Sequence, residues 1–125
     1  MLADLRSHTM IAAKDLDRAK QFYTDKLGLA AIEAVQGLLV FEGPKGSRFC
    51  LFASPLAGTA KNVVMGWETA DIATEVSSLK TRGVVFEEYD LPNFKTIESI
   101  VTANTSRSAW FKDSEGNMLA LVEWS

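Results

Sequence analysis

Residues 8–29 read HTMIAAKDLDRAKQFYTDKLGL, and they predict a strand that leads into a helix. The segment 8–13 contains few helix or turn breakers, which is typical of a buried strand. Asp15 is placed to cap the following helix with its carboxylate. Gly28 predicts the end of that helix, because glycine adopts the left-handed conformation that a helix end often requires. Between cap and end, apolar residues recur at helical spacing, namely Leu16, Ala19, Tyr23 and Leu27.

The same pattern recurs in residues 63–86, which read VVMGWETADIATEVSSLKTRGVVF. Asp71 takes the cap position and Gly83 the helix end, so the two copies are offset by 55 to 56 residues. The apolar stripe between them consists of Ile72, Val76 and Leu79. A duplicated strand and helix suggests two similar modules, each of which covers one sheet face with its own helix.

The rest of the first module is predicted to be three strands. Apolar runs between turn signals give these strands the ranges 29–34, 38–42 and 48–53. Gln36 and Gly37 form the predicted turn between the first two of them. The module then covers about residues 5–54, and the segment 55–62, which contains several small residues, is the predicted connector.

The second module, about residues 63–125, departs from simple repetition in one place. Residues 87–99, EEYDLPNFKTIES, predict a long irregular loop. A loop of this length in a compact domain is usually functional, as a lid or a binding wall, or else it is mobile. A short strand at 100–103 and a hairpin with arms at 108–112 and 118–123 complete the predicted module. We expect the whole of residues 1–125 to form one domain.

Composition and charge exclude several classes of function. The formal charge of −3 and the pI near 5.1 disfavour binding to nucleic acid. No apolar run approaches the roughly 20 residues that cross a bilayer, and the opening residues MLADLRSH lack the apolar core of a signal peptide, so we expect no membrane anchoring. The single cysteine, Cys50, excludes an intramolecular disulfide and favours a cytoplasmic location. Because Cys50 lies in an apolar strand, we expect it to be buried rather than reactive.

Three segments resemble the vicinal oxygen chelate superfamily, which includes glyoxalase I, extradiol dioxygenases and the bleomycin and fosfomycin resistance proteins. They are the opening stretch 8–29, its echo at 68–86, and WFKDSEGNMLALVE at 110–123, which is similar to the aromatic, DPDGN and strand ending of that group. The resemblance implies an α+β fold in which two βαβββ modules form one glyoxalase-like domain. It further implies a curved mixed sheet around a cleft, helices on the outside, and a homodimer.

In metal-using members of this superfamily four ligands line the cleft, from the first and last strand of each module. Among the four matching positions only His8 carries a group that binds metals. The other three are Phe52, Val64 and Ala120, which offer no lone pair to a cation. One imidazole cannot supply the several ligands that metal catalysis needs. We therefore expect no metal and no cofactor, and the family's metalloenzyme activity is not carried over.

Two residues remain as candidates for acid or base chemistry. His8 is the only histidine, and it is either such a group in the cleft or a locally hydrogen-bonded residue at a strand start. Glu68 is predicted on an otherwise apolar cleft wall, where a carboxylate can recognise a cation or act as a base, and its alternative is a solvated strand end. The predicted ligand-binding set consists of His8, Glu68, Met10, Phe52, Tyr89, Lys95 and Trp110. Trp67, Trp110 and Phe111 are also predicted as core residues.

These observations leave three hypotheses about function. We favour a metal-independent small-molecule binding protein of the glyoxalase and bleomycin-resistance type, which holds a small hydrophobic or drug-like molecule in an apolar cleft. The alternative is a lyase- or isomerase-type enzyme that uses His8 or Glu68 as acid or base. A third reading is a dimeric module that binds another protein. The sequence names neither the ligand nor a reaction.

Overall fold

The computed structural model describes residues 1–35 and 37–125, so the predicted turn at Gln36 lies in part outside the described residues. The first module begins with strand β1 and helix α1, and three strands follow. Their bounds are β1 Thr9–Ala13, α1 Leu16–Gln21, β2 Ala31–Val35, β3 Leu38–Glu42 and β4 Arg48–Ala53. The second module repeats the strand and helix, with β5 Val63–Glu68 and α2 Ile72–Thr81. It ends with β6 Asp90–Leu91, β7 Phe94–Lys95, β8 Val101–Thr102, β9 Ser106–Lys112 and β10 Met118–Trp124.

Each module contains one four-stranded mixed sheet, and β6 and β7 of the second module pair separately as a two-stranded ribbon. The order in the first sheet is β1-β4-β3-β2, and the order in the second is β5-β10-β9-β8. In each sheet the first strand of the module pairs in parallel with the last, and the remaining pairs are antiparallel. The predicted α+β fold of two βαβββ modules is therefore confirmed, because the same strand order arises twice.

Both predicted helix caps form. The carboxylate of Asp15 accepts a hydrogen bond from the backbone N–H of Arg18 at 3.0 Å, and that of Asp71 accepts one from Thr74 at 3.2 Å. Helix α1 is short and continues as a π-helical turn from Phe22 to Lys26. The predicted glycine conformations at the helix ends are also present, since Gly28 and Gly83 have left-handed φ angles of 74° and 91°.

The predicted irregular loop at 87–99 contains two tight turns instead. Strands β6 and β7 pair around the two-residue loop Pro92 and Asn93. In the second turn, Glu98 and Ser99 both have positive φ angles, 51° and 72°. The flanking residues Ile97 and Ile100 each donate a backbone N–H to the carbonyl oxygen of the other. Turns of this kind normally use Asn-Gly or Asp-Gly. The second turn was not predicted because it adopts these angles without a glycine.

One hydrophobic core joins the two modules on the sheet faces that the helices cover. The predicted helical stripes supply Ala19, Tyr23, Ile72 and Val76, whose side chains are buried. The sheets supply the other large buried residues, among them Ile11, Phe41, Leu51, Phe111 and Leu119. Cys50 is buried and free, and burial raises the pKa of its thiol, as expected for a packing residue rather than a nucleophile.

The C-terminal ends of the two helices are capped reciprocally by the opposite module. The Lys26 ammonium donates to the carbonyl oxygen of Gly83 at 3.4 Å. The Arg82 guanidinium donates to the carbonyl oxygen of Asp25 at 3.3 Å. Cations at helix C-termini satisfy free carbonyl groups and complement the helix dipole. Each helix end is therefore completed by a side chain from the other copy of the repeat.

None of the helices within residues 1–35 and 37–125 is long and apolar enough to cross a membrane.

Candidate functional site

The candidate site lies on the face of the second sheet that points away from α2, which we call the open face. On β10, Leu119 and Leu121 belong to the core, so the alternate residue Ala120 points to the open face. The strand registers place Gly66 of β5 and Trp110 of β9 on either side of Ala120. A Cβ atom at Gly66 would lie only 3.0 Å from the carbonyl oxygen of Ala120. Glycine and alanine therefore leave a shallow floor beside the Trp110 ring.

A cluster of three aromatic rings rises next to this floor, and we call it the aromatic triad. The ring centroids of Tyr89 and Phe94 are 5.2 Å apart, and those of Tyr89 and Trp110 are 5.9 Å apart. Phe94 and Trp110 are separated by 5.3 Å. Tyr89 and Trp110 are half-buried, and Phe94 is 37% exposed. The triad thus combines ring packing with a surface that a flat molecule can reach.

The β6 and β7 ribbon holds the triad in place. The backbone N–H of Tyr89 donates to the hydroxyl of Thr96 at 2.9 Å, and the N–H of Thr96 donates to the carbonyl oxygen of Tyr89 at 2.8 Å. The carboxylate of Glu88 accepts hydrogen bonds from the hydroxyls of Ser99 and Thr96, which lower its pKa. The ribbon is therefore tied at its base, and the buried Ser99 anchors it beside the sheet.

Glu68 supplies a carboxylate at the end of the open face. It pairs with Val122 of β10 and lies two residues after Gly66 on the same face of β5. Its Oε1 accepts a hydrogen bond from the indole N–H of Trp124 at 3.0 Å. Glu68 is exposed, and Trp124 is 62% exposed. A charged group and a further aromatic ring therefore border the apolar surface.

Other predicted site residues lie on the first sheet or at the surface. Met10 is 56% exposed, and Phe52 is half-buried on the same face of that sheet. His8 is exposed and lies one residue before β1. No hydrogen bond of its side chain occurs within the described part of the chain, so the structure does not join it to Glu68. Lys95 forms a long surface ion pair with Asp90, 3.9 Å between charged atoms, in which both side chains are exposed.

The superfamily's four metal-ligand positions do not fit a metal ion. Phe52 pairs with Ala12 in the first sheet, and Ala120 pairs with Gly66 in the second. Val64 lies at a register shift between β5 and β10 and packs against the core, which interrupts the alternation that predicted it to face the cleft. Among the side chains that the structure describes, those of residues 1–32 and 37–125, no group of three or more His, Cys, Asp and Glu is placed to hold a metal. His8 alone offers a donor.

The large aromatic residues divide between core and surface. Trp67 lies between Phe49 and Phe111, with centroid distances of 6.4 Å to each, and it packs against the core as predicted. Phe111 is fully buried, which agrees with its predicted place in the core. Trp110 belongs instead to the triad on the opposite face, because neighbouring residues of a strand point to opposite sides.

A buried polar network was missed by the sequence prediction, which treated residues 113–117 only as a turn. The Tyr23 hydroxyl donates to Asp113 Oδ2 at 2.7 Å, and Asp113 Oδ1 accepts from the backbone N–H groups of Glu115 and Asn117. The Asn117 amide donates to the carbonyl oxygen of Ala12 at 2.9 Å and accepts from Gly58 N–H at 3.2 Å. Burial, and then the nearby Asp113 carboxylate, raise the pKa of Tyr23.

Glu115 completes this network with a salt bridge between the modules. Its side chain is fully buried and accepts two hydrogen bonds from the Arg18 guanidinium, at 2.8 and 3.0 Å, and one from the N–H of Asp15 at 2.9 Å. The Arg18 hydrogen bonds lower the pKa of Glu115 to about 2, although desolvation opposes them. Both oxygens of each of the two carboxylates and both ends of the Asn117 amide are engaged, which indicates a structural role. The hydroxyl of Tyr23 within an apolar stripe was the sequence signal for a buried partner.

Comparison with known proteins supports this architecture. Two solved structures of similar size share the fold. A glyoxalase/bleomycin resistance protein/dioxygenase from Alicyclobacillus acidocaldarius is 20% identical, with a TM-score of 0.72 over 97% of this chain and 92% of that one. The fosfomycin resistance protein FosX from Listeria monocytogenes is 16% identical, with a TM-score of 0.71 over 98% of this chain and 94% of that one.

A third solved structure, that of UcmS2, is 22% identical, with a TM-score of 0.71 over 94% of this chain and 98% of that one. At these identities the likeness establishes the fold and not the activity. A search of curated proteins found no match. The family model of the Glyoxalase/Bleomycin resistance protein/Dioxygenase superfamily matches residues 6–121, which is nearly the whole sequence. The chain therefore belongs to the glyoxalase/bleomycin resistance protein/dioxygenase superfamily.

Proposed function

We propose that this protein binds a small, flat and largely apolar molecule on the open face of its second sheet, without the help of a metal. The observation that carries the proposal is the aromatic triad, whose partly exposed rings stand beside the floor of Gly66 and Ala120. Aromatic walls around a few polar groups are the usual composition of a small-molecule site. The donor set at the metal-ligand positions, with His8 as its one metal-binding side chain, supports the metal-independent part.

The polar border of the site favours a ligand with a hydrogen-bond donor or a positive charge. The carboxylate of Glu68 has one oxygen engaged by Trp124, and its second oxygen has room for another donor. The names of the structural relatives refer to bleomycin and fosfomycin resistance. From those names we extend to this chain only the idea of a drug-like ligand.

We further propose that a second copy of the chain covers the open faces. Large apolar side chains are exposed there on both sheets, including Met10 at 56% and Trp124 at 62%. Exposed apolar surface of this kind marks an interaction site more often than it occurs by chance. A homodimer with twofold symmetry would bring two such surfaces together and enclose the ligand. Because the free thiol of Cys50 is compatible with reducing conditions, we also propose a cytoplasmic location.

Ligand binding is tested with a panel of drug-like aromatic compounds and thermal unfolding. A compound that prefers the folded state should raise the melting temperature of the wild type by about 3 °C or more at saturating concentration. Trp110→Ala should abolish that increase, because it removes one wall of the site. Val85→Ala is the matched control, since Val85 is 84% exposed and lies outside the site. A hit whose effect survives Trp110→Ala would contradict the proposed site.

Dimerisation and metal independence have separate tests. Sedimentation velocity should show a dimer for the wild type and a monomer for Met10→Glu, because the substitution places a charge on an apolar contact surface. Metal analysis of protein purified without chelator should show far less than one equivalent of zinc, nickel or manganese. A monomeric wild type would overturn the proposed dimer, and one tightly bound metal per chain would overturn the metal-independent function.

A further inference from the structure

A cavity of about 260 Å³ lies on the other side of the second sheet, under α2 and beside the end of α1. We call it the helix-face cavity. Its walls are apolar and its rim is polar, and the lining residues are Leu27, Leu29, Trp67, Leu79, Phe111 and Leu121, with Glu68, Thr69 and Glu75. A dry cavity of roughly 150 Å³ is already large enough to take up benzene. The helix-face cavity therefore has room for a one-ring molecule with a short substituent.

The first module shows what fills the corresponding place. Tyr23 occupies the helical position that Leu79 takes 56 residues later. The Tyr23 ring packs against Phe41 at 5.8 Å, and Phe41 corresponds to Phe111 by its place before the last turn of the module. Tyr23 is fully buried, whereas Leu79 has a shorter side chain and is only partly buried. The second module thus leaves space where the first module holds a phenol ring.

The polar rim of the cavity is also particular to the second module. Glu68, Thr69 and Glu75 stand where the first module has Ala12, Ala13 and Ala19, each at an offset of 56 residues. Two carboxylates border the cavity, and the lining residues that the structure describes include no lysine or arginine. An acidic rim above an apolar pocket favours a ligand with an apolar ring and a positive charge.

We infer that the helix-face cavity binds a small arylalkylamine, with its single ring between α2 and the second sheet and its alkylammonium group at the rim near Glu75. The ring takes the place that Tyr23 fills in the first module. The ammonium group finds two carboxylates where the first module has alanine. The apolar part of this site is separate from the open face, because the sheet lies between the two, and Glu68 at the end of β5 borders both surfaces.

Phenethylamine is the probe, and phenethyl alcohol is its uncharged counterpart. Titration calorimetry measures affinity, and the methyl resonances of Leu79 and Leu121 report the location of the ring. We expect saturable binding of phenethylamine with shifts of those methyl groups. Binding should be unchanged in Trp110→Ala, which removes the open-face site alone. Trp110→Ala therefore distinguishes binding in the helix-face cavity from binding on the open face, since either can fail without the other.

Two variants restore the residues of the first module. Leu79→Tyr fills the cavity and should weaken both probes more than about tenfold. Glu75→Ala should weaken phenethylamine about threefold to fivefold, as for a partly exposed ion pair, and leave phenethyl alcohol unchanged. Ser78→Ala is the control on α2, because Ser78 is exposed and does not line the cavity. If Leu79→Tyr does not fold, the methyl shifts and Glu75→Ala decide the outcome.

Several results would overturn the inference. They are the absence of saturable phenethylamine binding below roughly 10 mM, unchanged binding in a folded Leu79→Tyr, and equal effects of Glu75→Ala on the amine and the alcohol. Ligand-induced shifts that spare Leu79 and Leu121 would place the probe elsewhere and would also count against it.

Discussion

The last turns of the two modules have the same length and the same closing hydrogen bond but different surroundings. Residues 43–47 read GPKGS and residues 113–117 read DSEGN. In both, the first residue donates its N–H to the carbonyl oxygen of the fifth, at 2.8 Å for Gly43 and 2.9 Å for Asp113. The glycine at the fourth position has a positive φ in each, 74° at Gly46 and 86° at Gly116. The two turns therefore share their length, their closing bond and one glycine, whereas Lys45, with a φ of 58°, gives the first turn a different third residue.

Their side chains separate the two turns. The first turn is largely exposed, and its described side-chain hydrogen bond, from Ser47 to the Pro44 carbonyl oxygen, is local. The second turn buries Asp113, Glu115 and Asn117 and ties them to the first module. The comparison teaches that a five-residue turn with the same closing bond can be a surface connection or the joint between modules, and that three buried side chains make the second turn the joint.

The largest loss of stability is expected from Asp113→Ala. The substitution leaves the Tyr23 hydroxyl and the buried N–H groups of Glu115 and Asn117 without their acceptor. We expect the free energy of unfolding to fall by about 3–5 kcal/mol, measured by urea denaturation. Ser47→Ala, in the first turn, should change it by less than about 0.5 kcal/mol. Similar losses for the two variants would remove the distinction between the turns.

Glu115→Gln should have the next largest effect and should alter the dependence of stability on pH. The pKa of Glu115 is about 2 in the folded protein and near 4.5 when unperturbed, so the unfolded chain takes up the proton at higher pH. The stabilisation is therefore fully present above about pH 4.5 and is lost as the pH falls towards 2. At neutral pH we expect a loss of about 2–3 kcal/mol.

Urea denaturation between pH 2 and 7 measures this linkage. Glu115→Gln should flatten the acid limb of the stability curve, because the variant has no carboxylate to protonate at that site. Lys45→Gln, at the equivalent position of the first turn, should reproduce the wild-type curve. An acid limb that is unchanged in Glu115→Gln would show that other carboxylates cause the loss.

Tyr23→Phe should cost about 1–2 kcal/mol, because it removes one buried hydrogen bond to a carboxylate and keeps the ring. Because the pKa of Tyr23 is raised in the folded protein, the unfolded chain loses the phenol proton at lower pH. The stabilisation by the Tyr23 hydroxyl is therefore present below pH 10.0 and is lost as the pH rises above it. Tyr89→Phe is the matched control, since Tyr89 lies outside the network. Equal alkaline sensitivity in Tyr23→Phe and the wild type would contradict this assignment.

The smallest effect is expected when the first turn is rewritten as the second. The substitutions Gly43→Asp, Pro44→Ser, Lys45→Glu and Ser47→Asn convert GPKGS into DSEGN. Because the α2 positions equivalent to Tyr23 and Arg18 hold Leu79 and Thr74, stability should stay within about 1 kcal/mol of the wild type in urea denaturation. A larger gain would mean that the sequence of the turn is stabilising without partners.

Local features of the fold could be predicted from the sequence, because their causes lie close together in the chain. The caps at Asp15 and Asp71, the apolar stripes and the glycine helix ends depend on neighbours within one or two turns. The turn at Glu98 and Ser99 was missed because its positive φ angles are not accompanied by glycine. Val64 was misplaced because a register shift interrupts the alternation of β5.

The site and the joint between modules were less accessible, because they depend on residues far apart in sequence. Trp110 was predicted both for the ligand-binding set and for the core, and only the packing of Tyr89 and Phe94 against it reveals a triad. The pair of Arg18 and Glu115 is separated by 97 residues, so no spacing rule connects them. The helix-face cavity became visible only through comparison of Leu79 with Tyr23 in three dimensions.

The reach of the second turn has a consequence for how the chain folds. Its bonds to Tyr23, Arg18 and Ala12 close loops of 90, 97 and 105 residues. Closing such loops is entropically costly, and a high contact order slows folding. We expect these bonds to form after the folding transition state, so that weakening them accelerates unfolding more than it slows refolding. The second turn would then slow the unfolding of the native state while contributing little to the rate of folding.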